Sequence, residues 1–179
     1  MHAPPSNLPL RAIDSFESPV GPLLAGASSD AICRLEFCDQ GDLQTRIASL
    51  HERNASLIVG GDPLLDRLRR QLEDYFAARR STFDVPLAYA GTAFQQLVWA
   101  TLLRIPYGET WSYLDVAQRI GDPAATRAVG AANHMNPIAI VIPCHRVVNA
   151  NGKLGGYGGG LRRKQILLDL ELGQGSLSL

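Results

Sequence analysis

The apolar positions change period along the chain, and those changes divide it. Over 13–37, short β-rich pieces are interrupted by "SPVGP" and by Ser28-Ser29-Asp30, which predicts two or three antiparallel strands. A helix is expected over 42–52 and a connection over 54–62. In "PLLDRLRRQLEDYFAARR", Pro63 suits a first helical turn, and Leu64, Leu68, Leu72, Tyr75 and Phe76 repeat as one stripe. "STFDVPLAYAGT" reads as extended and closes on a glycine, which puts a domain boundary near residue 90.

Beyond that boundary the signals sharpen. Thr92 is placed to cap a helix to Leu103, with Phe94, Leu97, Val98, Thr101 and Leu102 spaced near 3.6 residues. Pro106 and Gly108 stop it. Ser112 followed by Asp115 resembles a capping box, opening a helix that ends at Gly121. Asp122 and Pro123 then supply the cap and first turn of another helix, running to about Ala132. Two short helices joined by Gly-Asp-Pro predict a helix-turn-helix. "PIAIVIP" reads as a buried strand, "NANGKLGGYGGG" as a glycine-rich loop and "LRRKQILLDLEL" as a closing helix.

The expected fold class is therefore mixed α+β. Residues 1–90 form a small antiparallel sheet with helices, preceded by a mobile tail over 1–9. Residues 91–179 form a mainly helical domain containing the helix-turn-helix. An apolar content of 46% and a charged content of 19% over 179 residues fit a globular protein with a proper core. Net charge is zero but uneven: residues 1–90 carry 9 basic and 12 acidic groups, residues 91–179 carry 8 and 5. The second half is thus the part suited to face phosphates. Cys33, Cys38 and Cys144 are too few and too odd in number for a disulfide framework, and no paired CxxC sets suggest zinc. With no signal peptide and no bilayer-length apolar run, the expected compartment is the reducing cytoplasm.

Three features carry candidate chemistry. "IPCHRVV" places the Cys144 thiol beside the His145 imidazole after an apolar run. A buried, inert cysteine is the ordinary reading of such a residue. Glu171, on the closing helix, is either solvated at its edge or buried with a partner, for which His145 is the candidate. The three would then form a thiol–imidazole–carboxylate relay. In "PAATRAVGAAN", helical spacing puts Ala124, Arg127, Ala128 and Ala131 along one side with Gly130 adjacent. That bare face either packs tightly inside the protein or lets another backbone approach, with Arg127 standing out for insertion into DNA. "GGYGGG" lacks the spacing of a nucleotide-binding loop and is either a flexible turn or a wrap around a flat ligand, with Tyr157 its one large side chain. His134 is expected at the surface.

"GTAFQQLVWATLLRIPYGETWSY", "RAVGAANHMNPIAIVIPCHRVV" and "GKLGGYGGGLRRKQILLDLE" together resemble the O6-alkylguanine-DNA alkyltransferases, nearly continuously over 91–172. The resemblance implies repair of O6-alkylguanine, and of O4-alkylthymine, by irreversible transfer of the alkyl group to the protein in a single turnover. It implies that Cys144 is the acceptor, that His145 takes its proton through a water, that Glu171 orients the imidazole and that Asn136 holds the cysteine-bearing turn. It makes Tyr113 the proton donor to the departing base. It assigns substrate and DNA binding to Arg127, Ala128, Asn133, Tyr157, Gly158 and Lys164, with Arg127 filling the gap left by a flipped nucleotide. The implied partner is double-stranded DNA, entered from the minor groove by a monomer. No cofactor or metal is implied. Gly158 stands where some members carry serine, so extra space for bulky adducts is expected there. Alkyltransferase-like lesion sensors resemble this family but replace the acceptor cysteine, which Cys144 argues against. A cysteine hydrolase fits less well, because the catalytic Cys and His of such enzymes usually come from distant parts of the chain. A helix-turn-helix regulator would instead bind undamaged DNA tightly at a specific sequence.

Overall fold

The computed structural model describes residues 8–39 and 41–173. The tail expected over 1–9 thus lies, as far as Asn7, outside the described residues. The chain divides between Tyr89 and Ala90 into two compact units.

In the first unit, β1 (Ala12–Phe16), β2 (Leu23–Ala27) and β3 (Ile32–Phe37) pair antiparallel, as the β-rich pieces between turn residues predict. Two further elements are α1 (Leu43–Arg53) and α2 (Pro63–Phe76). The connection expected over 54–62 holds one more strand, β4 (Ile58–Val59), which pairs parallel with β1 and completes the order β3-β2-β1-β4. Two residues are too few to display a period of two. Leu43, Ile47 and Leu50 of α1 pack against Ile13, Leu24, Cys38 and Leu57. The other helix meets β1 and β2, and β2 is buried along its whole length, as a strand covered on both faces must be. Asp62 caps α2 by accepting from the backbone N–H groups of Leu64 and Leu65. The buried stripe of α2 runs through Leu65, Leu68, Leu72 and Tyr75, so Leu65, not Leu64, anchors it.

The second unit begins with α3 (Ala93–Leu102), capped by the Thr92 and Gln95 box. Next come β5 (Trp111–Ser112) and α4 (Tyr113–Arg119), the latter opened by the Ser112 and Asp115 capping box. At Gly121 the backbone turns through φ 86°, and Asp122 caps a 3-10 turn at Pro123–Ala125 that runs into α5 (Thr126–His134). The helix-turn-helix is present, with its second helix opening as a tighter turn than expected. Trp99 locks α3 to α5, its indole N–H donating to the Ala132 carbonyl at 2.8 Å. The last elements are β6 (Val147–Val148) and α6 (Leu161–Glu171). Parallel pairing of β5 with β6 sets the start of α4 beside the segment that follows Cys144.

One expectation fails. "PIAIVIP" is buried but is not a strand; it folds as consecutive tight turns, with Val141 N–H donating to Ala139 and Ile142 N–H to Ile138. Asn136 ties both ends, accepting from the Ile138 N–H at 3.0 Å and donating to the Ile142 carbonyl at 2.8 Å. Between them Ile140 is held at φ 70°, a region β-branched residues avoid at a cost of about 1–3 kcal/mol. A short apolar run records burial and not backbone path.

Candidate active site

The turns of 138–142 end by presenting Cys144 at the start of a 3-10 turn, Cys144–Arg146. Its thiol is buried, with the sulfur 2.9 Å from the Asn136 side-chain nitrogen. Asn136 therefore bonds both to the turn and to the sulfur. Burial pushes the Cys144 thiol up, while the Asn136 N–H, the Lys164 ammonium and the Tyr157 hydroxyl act in the opposite sense, favouring thiolate.

His145 is fully buried and meets Glu171, Nε2 to Oε1, at 2.8 Å. Of the two readings open for Glu171, burial with a partner is the one found. A second partner accompanies it: Arg146 donates from Nε to Oε2 at 2.8 Å and from its terminal nitrogen to Oε1 at 2.9 Å. The Gly108 N–H adds a contact to Oε2 at 3.2 Å, and Arg146 also donates to the Ile105 carbonyl at 2.6 Å. Burial alone would raise the Glu171 carboxyl; the donors from His145 and Arg146 outweigh it and hold it down to about 2. An ionised Glu171 accepts, so His145 carries its proton on Nε2. Burial pushes His145 below its ordinary value, which keeps the ring neutral. Nδ1 is then the basic nitrogen, and it is buried without a hydrogen-bond partner among the described residues. Arg146, inside the motif, is a partner of Glu171 that the sequence reading did not name; its signal was a basic residue inside an apolar run.

A cavity of about 310 Å³ opens beside this centre, lined by Tyr113, Gly130, Asn133, His134, Tyr157 and Gly158 among others. Tyr113, first residue of α4, donates its hydroxyl to the Gly156 carbonyl at 3.1 Å. The glycine loop closes over it: a Cβ on Gly155, whose φ is 67°, would come within 3.0 Å of the Tyr113 ring. Lys164 is fully buried and pins the loop from behind. Its ammonium donates to the Val147 carbonyl at 2.6 Å, to the Leu154 carbonyl, and to the Gly156 carbonyl at 3.4 Å. Burial pulls that amine down to about 8.

Four expected residues sit in α5 or against it. Arg127 and Ala128 are exposed with Ala124 and Ala131, so the bare face is open and not packed inside. Asn133 is not on that face; it is 7% exposed, lines the cavity and donates to the Cys144 carbonyl at 3.4 Å. Beside Gly158 the expected extra room is bounded by His134: a Cβ there would lie 3.3 Å from the His134 carbonyl oxygen and 3.5 Å from its Nδ1. Cys33 and Cys38, both buried in the first unit, belong to no cluster of metal-binding side chains among the described residues.

Comparison with known proteins identifies the family. The 6-O-methylguanine DNA methyltransferase ribonuclease-like domain matches residues 13–89, and the DNA binding domain of the same family matches residues 93–173. A methylated-DNA–protein-cysteine methyltransferase of Mycobacterium leprae is 46% identical over 92% of this chain and 94% of its own length. The chain belongs to this family. The like-named protein of Methanosarcina acetivorans is 46% identical over 87% of the chain and 95% of its own length. Among solved structures, Mycobacterium tuberculosis OGT in complex with DNA aligns with a TM-score of 0.78 at 43% identity, covering 91% of this family member and 94% of that chain. The Mycobacterium tuberculosis O6-methylguanine methyltransferase gives 0.77 at 44% identity, covering 92% and 94%.

Proposed function

We propose that the chain repairs O6-alkylguanine in double-stranded DNA by moving the alkyl group onto Cys144 Sγ, once per molecule. It is a DNA-repair methyltransferase with DNA as its partner; the residue roles, the lesion and the groove are the proposal. The observation that carries it is the Cys144 sulfur held by Asn136, in front of a buried His145–Glu171 pair and beside a cavity sized for a small ligand.

The chemistry follows from those groups. His145 takes the thiol proton at Nδ1, by way of the bridging water that the family resemblance implies. Glu171, kept ionised, stabilises the imidazolium that results. The sulfur attacks the alkyl carbon, the S–C bond forms as the C–O6 bond breaks, and the electron pair leaves with guanine. Tyr113 supplies a proton to the base so that it departs neutral, and the Lys164 ammonium favours the thiolate and then the phenolate. The product thioether has no route to hydrolysis at neutral pH, so each molecule is spent. The exposed face of α5, almost bare of side chains, suits close approach to the minor groove by a monomer, with Arg127 filling the place of the extruded nucleotide. Such work places the protein with the nucleoid in the cytoplasm.

Intact-protein mass spectrometry with an oligonucleotide carrying O6-methylguanine tests this. One added methyl, on the peptide containing Cys144, is expected. An unchanged mass with tight lesion binding would mean a sensor and overturn the reading.

A further inference from the structure

The glycine loop and the end of α5 close on each other at one point of the cavity wall. A Cβ on Gly158 would lie 3.3 Å from the His134 carbonyl oxygen, 3.5 Å from its Nδ1 and 3.9 Å from its Cε1. The first of these distances is tighter than ordinary packing, so a side chain on Gly158 would press on the backbone at the end of α5. The imidazole stands against the space that such a side chain would use. Helical spacing brings it there: Thr126, Gly130 and His134 recur every four residues along α5, all on the cavity wall. Gly130 faces Tyr113, from whose ring an added Cβ would stand 3.8 Å away, and one turn later His134 faces Gly158.

The Tyr157–Gly158 part of the wall is tied to the acceptor. Tyr157 lines the cavity, and its hydroxyl acts on the Cys144 sulfur. In a displacement the alkyl carbon lies between the sulfur and the departing oxygen, so the rest of the alkyl group has to be housed beside that line. His134 is exposed and outside the core, so its size sets the width there without being fixed by packing. Resting on the reading of the cavity as the lesion pocket, we infer that His134 is a specificity-determining residue: its imidazole takes the room left free by Gly158 and restricts the alkyl subsite to small groups. Gly158 alone reads as an open site; paired with His134 it makes a narrow one, and benzyl is disfavoured relative to methyl.

The test compares oligonucleotides of one sequence, carrying O6-methylguanine or O6-benzylguanine, by the rate at which the alkyl group appears on Cys144. Benzyl is intrinsically the more reactive group, so the readout is the change in the benzyl-to-methyl rate ratio between proteins. His134→Ala is expected to raise that ratio at least about tenfold, the discrimination that one methylene supplies in a fitted pocket. His134→Phe keeps a ring in place and should leave the ratio at or below the wild-type value. The ratio is internal to each variant, so a structural loss, or the loss of a contact to the DNA backbone, changes both rates alike and leaves it unmoved. An unchanged ratio in His134→Ala, or an equal rise in His134→Phe, overturns the assignment. No alkyl group on Cys144 of the wild-type protein from either oligonucleotide overturns the repair reading itself.

Discussion

Cys33 and Cys144 are both buried cysteines, one in the strand β3 and one at the end of a chain of turns. Around Cys33, burial dominates and the thiol is pushed up to about 11, its S–H directed at the Gly26 carbonyl. Around Cys144 burial pushes the same way and still prevails, but there the sulfur also meets an amide N–H, and an ammonium opposes the push. Burial makes a thiol inert; donors aimed at the sulfur lower the cost of forming the thiolate. The second unit holds that difference in polar groups that would be liabilities in the first.

The largest effect expected from breaking this contrast is Cys144→Ala, which should abolish transfer while lesion DNA is still bound; residual transfer would reveal another acceptor. Next is Arg146→Met, which leaves Glu171 buried with its main ionic partner gone. A loss of about 3–5 kcal/mol in urea unfolding is expected, and a loss under about 1 kcal/mol would mean the pair contributes little. Third is acid stability. Glu171 is depressed from 4.5 to about 2, so its contribution is present above the ordinary value and lost as pH falls towards 2. At about 1.4 kcal/mol per unit this is roughly 3 kcal/mol. His145 is also depressed, so the unfolded chain takes its proton first and the decline starts near pH 6.5. Glu171→Gln should remove the lower part of that decline; parallel curves for the two proteins would contradict it. Arg127→Ala should slow repair of duplex lesions far more than reaction with free O6-methylguanine, and equal losses would sink its role in flipping. Smallest is Cys33→Ala, expected to cost about 1 kcal/mol and to leave transfer rates untouched.

What was legible in the sequence was local. Thr92, Ser112 with Asp115, and Pro63 mark helix starts because a cap is made within three residues of itself; Gln95 and Asp62 complete the first and the last of these. The 138–142 segment misleads because a buried turn and a buried strand share one pattern, and only Asn136, bonding across both ends, distinguishes them. β4, β5 and β6 have two residues each, below the length at which alternation exists. The pairing of His145 with Glu171 was named from the residues themselves, but Arg146 closing on Glu171 spans 25 residues, a separation at which no spacing rule operates.

The packing of Trp99 has a practical corollary. Trp99 and Trp111 are the two tryptophans of the chain, and both lie beyond Ala90, one buried against α5 and the other half-buried with the Arg119 guanidinium 3.7 Å from its ring centre. Indole emission excited at long wavelength is therefore an optical channel tuned to the second unit alone. An unfolding curve recorded that way is blind to the β-sheet unit, and its divergence from a far-ultraviolet dichroism curve would measure how independently the two halves melt.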